Sequence, residues 1–342
     1  MKEKTILKMD NLKVHFHLDE GILKAVDGVS YEVHQGRTLG IVGESGCGKS
    51  VSTQAILRLL PKTAKLSGEI TFYEDEDSPT QILQINDREL RTVRGGGISM
   101  IFQEPMKAFS PLHTIGNQIG EAVMLHVEKD PSKAREIVLE ALRRVGMSNP
   151  EQRIDEYTHQ LSGGMRQRAM IAMAIACRPR ILIADEPTTA LDVTVQAQVL
   201  ALINELKEDF GSAVLFITHD LGVIAEMSDD VAVMYLGKIV EYADVDTLFH
   251  DTMHPYTKAL MRSMPDYQEE GLGRQLETIE GTVPYPMNLP PGCGFYSRCK
   301  QRMEGRCNVE EIPLVDMGEK NGVKHLVRCL SVTAVNERGG ES

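Results

Sequence analysis

The eight residues Gly43-Glu44-Ser45-Gly46-Cys47-Gly48-Lys49-Ser50 constrain this chain more than any other stretch. They read G-x-x-x-x-G-K-S, a loop whose backbone N–H groups wrap phosphates because glycine turns the chain with no side chain in the way. Lys49 is placed to reach β- and γ-phosphates, and the Ser50 hydroxyl to hold Mg²⁺. The flanks agree. Thr38 to Val42 reads as a buried parallel strand, and residues 49 to 60 read as a helix that stops before Pro61. Strand, loop and helix set the phosphates at a helix N-terminus, where the dipole favours anions. Gly43 to Val51 is therefore expected to hold a nucleotide.

A strand ending in two carboxylates complements that loop. Arg180-Ile181-Leu182-Ile183-Ala184-Asp185-Glu186 runs apolar and then acidic. A carboxylate at a strand's end can hold Mg²⁺ through its water shell, and this role falls to Asp185. The next, Glu186, can orient and deprotonate an attacking water. Phosphoryl transfer needs both a phosphate cradle and a metal carboxylate, so each stretch strengthens the reading of the other.

Just before that strand stands Leu161-Ser162-Gly163-Gly164-Met165-Arg166-Gln167. Here the sequence resembles the ABC ATPase family, whose signature is L-S-G-G-Q or a close variant. Ser162 and the two glycines open a helix expected to run to about Cys177, a second helix start suited to an anion. The resemblance implies that Ser162, Gly163 and Gly164 face the ATP bound by an opposite subunit, so that nucleotide is sandwiched between two subunits. Met165 stands where glutamine is commonest. Little loss is expected, because the phosphate contacts come from the serine and the backbone.

Other family elements follow in order. The resemblance implies that Gln103, after the Ile98–Phe102 strand, touches Mg²⁺ and the water. His219, after Thr218, matches the switch histidine of the γ-phosphate. Ala190-Leu191-Asp192 matches the loop that crosses the dimer interface, and Phe16 matches the aromatic that stacks on adenine. The fold implied is the α/β P-loop NTPase fold of ABC ATPases. It has a mostly parallel sheet core, N-terminal antiparallel strands and an inserted helical subdomain.

Patterning along the chain agrees with that fold. Short strands are expected between 4 and 36, then at Ser67–Tyr73, Ile98–Phe102, Ile181–Ala184, Ala213–Ile217 and Val231–Tyr235. A helix over 194–209 lies between two of them. Residues 114 to 160 turn helical, with Pro131 in a first turn and Ile137, Val138, Ala141, Leu142 and Val145 on one apolar face. This helical subdomain spans about 105–165. The ATPase domain is expected at 1–265 and a cysteine-bearing extension at 266–342, where composition shifts toward glycine and proline.

Charge narrows the partners. Lys plus Arg is 37 and Asp plus Glu 49, a net charge of −12, which argues against nucleic acid as the main partner. No apolar run approaches the roughly 18 residues of a spanning helix, and Met1-Lys2-Glu3-Lys4 precedes no apolar signal region. A cytosolic chain is expected, meeting a membrane only through partners.

The stretch His254-Pro255-Tyr256-Thr257-Lys258-Ala259-Leu260, the run from Ala184 to Gln198 and the cysteine tail are similar to one ABC branch, the ATPases of oligopeptide, dipeptide and nickel importers. This resemblance implies a D-type ATPase subunit at the cytoplasmic face of the membrane. Its partners would be a related second ATPase, two membrane permeases and an extracytoplasmic binding protein. A nickel importer of the same architecture remains an alternative. So does a soluble ABC ATPase acting on DNA or ribosomes, although the chain shows no tandem cassettes, long coiled-coil insertions or basic surface. A static ATP clamp would lack the base or the signature, and both are present.

Cys293, Cys299, Cys307 and Cys329 give C-x5-C-x7-C-x21-C. In a short segment with little core, bound metal could supply folding energy. Zinc prefers tighter pairs, whereas Cys₄ ligation is normal for a [4Fe–4S] cluster. Arg298, Lys300, Arg302, Arg306 and Arg328 would offset the cluster's negative charge. Iron–sulfur, zinc and free thiols all stay open on spacing. The resemblance favours iron–sulfur, since some members of the branch carry a cluster there. Cys47 and Cys177 fall outside this set, and Cys177 reads as core.

Overall fold

Thr38–Val42, the apolar run before the phosphate loop, is a strand buried along its whole length. The helix after it runs Lys49–Ile56, shorter than its apolar pattern. Arg58 turns left-handed at φ 50. Its N–H then bonds the Ala55 carbonyl, and the Leu59 N–H reaches the Gln54 carbonyl, both at 3.0 Å. This closing turn satisfies the last carbonyls, and Pro61 disfavours further helix behind it.

The computed structural model describes residues 4–75, 78–189, 191–264, 278–287, 289 and 291–332. They fall into two units.

One unit comprises Met1–Lys8, Glu32–Thr38 and Thr71–Ile217. Its strands Ile98–Ile101, Ile181–Asp185 and Ala213–Thr218 pair in parallel, with Ile98 opposite Ile181 and Asp185 opposite Ile217. All are buried from end to end, as expected of parallel strands covered on both faces. Helices Ile115–His126, Pro131–Arg144 and Gly163–Ile175 pack on one another. Asp130 caps the second by accepting the N–H groups of Ser132 and Lys133, and Pro131 takes its first turn. Val138, Ala141, Leu142 and Val145 are buried on its inner face, with Ile137 half-buried.

The other unit comprises Met9–Tyr31, Leu39–Ile70 and Thr218–Ser342. Leu39–Val42 lies parallel to Asp230–Tyr235, which pairs antiparallel with Lys238–Asp244. The sheet continues into the tail. Val323–Val327 pairs antiparallel with Lys238–Asp244, Glu241 opposite Val327, and Val315–Lys320 closes a hairpin on it. The two tail strands therefore share a sheet with the strand before the phosphate loop, and the described tail shares that loop's unit. The composition shift near 265 falls at residues 265–277, which lie outside the described residues.

Glu241 lies fully buried in that shared sheet. Its Oε1 accepts from Met253 N–H at 2.7 Å and pairs with His325 Nε2 at 2.9 Å, while Oε2 accepts the His254 N–H at 3.1 Å. A buried carboxylate is tolerable only when it is so partnered. No helix among the described residues is long and apolar enough to cross a membrane.

Candidate functional site

The phosphate loop owes its shape to two glycines. Gly43 has φ +156, and a Cβ there would sit 2.2 Å from the Met234 carbonyl oxygen. Gly48 has φ +93, and a Cβ there would meet the Ala25 carbonyl oxygen at 2.1 Å. No larger residue fits either place. Between them Ser45 and Gly46 are exposed, while the Cys47 side chain is buried and burial pushes its thiol up. Ser50 and Val51 are half-buried on the first helical turn. The nearly buried Lys49 ammonium donates to the Gly43 carbonyl at 2.6 Å and to the Glu44 carbonyl at 3.1 Å. A cation and a helix start thus converge on one loop, the arrangement that receives phosphate.

Two residues to which the sequence reading gave no role at this loop hold Glu44. The Tyr256 hydroxyl accepts the Glu44 N–H at 2.9 Å. Arg298 donates to both carboxylate oxygens of Glu44, at 2.6 and 3.0 Å. His219 is exposed directly after the Ala213–Thr218 strand. Asp220 fixes the turn behind it, donating its N–H to Thr218 Oγ1 at 3.1 Å and capping the helix Leu221–Met227. Phe16, on the strand Thr5–Leu18, is half-buried. The loop, Phe16 and His219 all belong to the unit that contains the tail.

The other unit carries the acidic pair. Asp185 is buried at the end of Ile181–Asp185. Glu186 takes φ 46, a left-handed conformation that costs about 1–2 kcal/mol in an ordinary residue. Its N–H is satisfied by the Ile217 carbonyl at 2.9 Å. The turn aims its carboxylate at two donors. Gln103 Nε2 reaches Glu186 Oε2 at 2.8 Å, and Thr189 Oγ1 reaches the same oxygen at 2.9 Å. Gln103 and Glu186, far apart in sequence, are thereby brought together.

Ser162 caps the helix Gly163–Ile175, accepting the Met165 N–H at 3.4 Å. Met165 thus contributes its backbone at this cap. A Cβ added at Gly163 or Gly164 would meet nothing within 4 Å, so the helix start faces open space. From the next turn the buried Gln167 amide donates to the Pro187 carbonyl at 2.6 Å. Asp192 caps Val193–Phe210 by accepting the Val195 N–H at 3.0 Å. Ala190 lies outside the described residues.

All four tail cysteines line one cavity of about 10 Å³, together with His254 and Phe295. None of the four is in a disulfide, and burial pushes Cys293 up to about 12 and raises Cys299. Backbone N–H groups point at three sulfurs: Phe295 at Cys293, Gln301 at Cys299 and Met303 at Cys307 Sγ, the last at 3.4 Å. Among the described residues no three His, Cys, Asp or Glu side chains are disposed to hold a metal ion. The basic residues read as counter-charges mostly turn elsewhere. Arg298 goes to Glu44, Arg306 pairs with Glu310 at 2.9 Å, and Arg328 donates to the Ile239 and Ile312 carbonyls at 2.8 Å. Arg328 still lies near enough to Cys293, and Arg302 to Cys299, to feel its charge.

Comparison with known proteins follows the same two regions. Residues 26–189 match the ABC transporter family, and residues 240–307 match the oligopeptide/dipeptide transporter C-terminal region. The chain is 52% identical over 300 residues to a probable peptide ABC transporter ATP-binding protein of Sinorhizobium fredii, covering 87% of this chain and 88% of that one. It is 47% identical to the dipeptide transport ATP-binding protein DppD of Bacillus subtilis, with 87% and 88% covered. An ATP-binding cassette dimer solved in a post-hydrolysis state with ADP and Pi matches with a TM-score of 0.62 at 26% identity, covering 70% of this chain and 99% of that one.

Proposed function

This chain belongs to the ABC transporter family, and from that membership we propose that it is the ATP-hydrolysing subunit that powers peptide uptake by an importer. The observation that carries the hydrolytic reading is the Glu186 carboxylate, turned by a left-handed backbone onto Gln103 and Thr189 directly after the buried Asp185. Peptide, as opposed to nickel, is favoured by the relatives named for peptide and dipeptide transport and by the match of residues 240–307.

In this reading Lys49 leaves the loop carbonyls for the β- and γ-phosphates, which also meet the N–H groups between Gly43 and Val51. Phe16 stacks on the adenine. Ser50, Asp185 and Gln103 would hold Mg²⁺, which when bound offsets the charge developing on the phosphates. Glu186 takes a proton from water as the water oxygen bonds to the γ-phosphorus. The bond from that phosphorus to the bridging oxygen breaks, and ADP and phosphate leave. His219 contacts the γ-phosphate. Ser162, Gly163, Gly164 and Asp192 serve the nucleotide of a related second ATPase. Two permeases and an extracytoplasmic binding protein complete the importer, with this chain at the cytoplasmic face.

A [4Fe–4S] cluster in the tail is supported by the chemistry of its four thiols alone, since no three of them are disposed around a metal as they stand. Four buried thiols share one cavity, three face backbone N–H groups, and Arg302 lies beside one of them. Cys293, Cys299, Cys307 and Cys329 would hold it as thiolates, with zinc the alternative. Dipeptide uptake into vesicles bearing the assembled importer tests the function. Uptake that persists in Glu186→Gln after ATP turnover is lost would refute it.

A further inference from the structure

Three parts of one unit converge on Glu44, the second residue of the phosphate loop. Its N–H is held by the Tyr256 hydroxyl at 2.9 Å, its carbonyl accepts Lys49 Nζ at 3.1 Å, and its carboxylate is clamped by Arg298 at 2.6 and 3.0 Å. The Arg298 side chain is only 4% exposed. It also donates to Tyr235 Oη at 3.3 Å and to the Glu280 carbonyl at 3.0 Å, and lies 5.9 Å from the ring centres of both Tyr235 and Phe295. Tyr256 and Phe295 pack ring to ring at 5.3 Å. A guanidinium so fixed is a bidentate partner with little freedom left.

The clamp starts inside the cysteine segment. Arg298 immediately precedes Cys299 and follows the turn that leaves Cys293. Tyr256 lies two residues from His254, which lines the cavity of the four cysteines.

The charge arithmetic gives the clamp a purpose. A loop that must accept a polyanion carries a carboxylate at its second position. Left bare, that charge repels the phosphates; paired with Arg298, it is neutralised. Building on the ATP-binding reading above, we propose that Arg298 is a positioning residue for nucleotide binding. It cancels and fixes Glu44, and so makes ATP affinity depend on the packing of the four-cysteine segment.

The test is equilibrium binding of ATP to the full-length chain in EDTA, so that nothing turns over. Arg298→Gln should bind about ten-fold more weakly, and Arg298→Lys should fall between it and the parent. Raising salt from about 0.05 to 0.5 M should shrink the defect, because a bare charge is screened. Adding Glu44→Gln to Arg298→Gln should restore affinity to within about two-fold of the parent. Parent-like affinity in Arg298→Gln, or a double variant no better than the single, overturns the proposal. Should Arg298→Gln not fold, the double variant carries the test alone, and a ten-fold loss in it is fatal. Lys49→Ala run alongside separates the two claims. If it binds ATP like the parent, the nucleotide reading itself falls and this proposal falls with it. If it loses ATP while Arg298→Gln does not, only the clamp falls.

Discussion

Gln103 Nε2 stands 2.8 Å from Glu186 Oε2, so the residue that senses the metal and water in this reading also grips the group assigned as base. Glu186→Gln removes the proton acceptor and keeps the shape. Turnover in the assembled importer should fall about 10²–10⁴-fold while ATP still binds. Steady-state ATPase measured beside ATP binding checks both halves.

Gln103→Glu tests the contact directly. It would replace the amide donor that meets Glu186 Oε2 with a second carboxylate, so repulsion takes the place of a hydrogen bond. Steady-state ATPase should fall about ten-fold or more. Parent-like turnover would mean the two side chains do not meet in the working enzyme.

Two glycine substitutions should differ in kind. Gly48→Ala drives a Cβ to 2.1 Å from the Ala25 carbonyl at φ +93, so it should cost about 1–3 kcal/mol of stability and abolish ATP binding. Gly163→Ala meets nothing within 4 Å. Its chain should melt like the parent and bind ATP normally, yet hydrolysis in the assembled pair should drop. Thermal melts and ATPase assays on both variants separate the outcomes.

Stability should depend on pH through His254. Burial pushes its imidazole down to about 4, against the ordinary value of 6.5. Between those values the unfolded residue takes up a proton and the folded one does not, so acid favours unfolding. The contribution is whole above about pH 6.5 and is lost progressively as pH falls toward about 4, reaching up to about 3 kcal/mol. Chemical denaturation from pH 7.5 to 4.5 should show the loss, and His254→Gln should flatten it.

The thiol cavity makes a chemical prediction. Anaerobic reconstitution with iron and sulfide should give a brown protein absorbing at about 400 nm, and Cys307→Ser should lose the colour. One zinc per chain in protein purified without oxygen would instead favour the zinc alternative.

Much of the fold was legible because periodicity is local. The strand Ile181–Asp185, the helix Pro131–Arg144 and the Ser162 cap each announce themselves within a dozen residues. The Asn321-Gly322 turn, with φ 52 and 80, is a local hairpin signal of the same kind. The clamp on Glu44 was not legible. Tyr256 lies 212 positions away and Arg298 lies 254, and no local pattern says which distant side chain will fold onto a loop. Nor was the strand Val323–Val327 legible as a partner of Lys238–Asp244, because nothing local says which distant edge it will pair with.

The grip of Gln167 on the Pro187 carbonyl has a consequence. The helix that would meet a neighbour's nucleotide and the loop that would ready this chain's own water are joined by a buried hydrogen bond. Gln167 lies five residues after Ser162, and the carbonyl it holds is one peptide from Glu186. If that helix start does meet a second subunit's nucleotide, the news reaches this chain's acidic pair through one buried hydrogen bond.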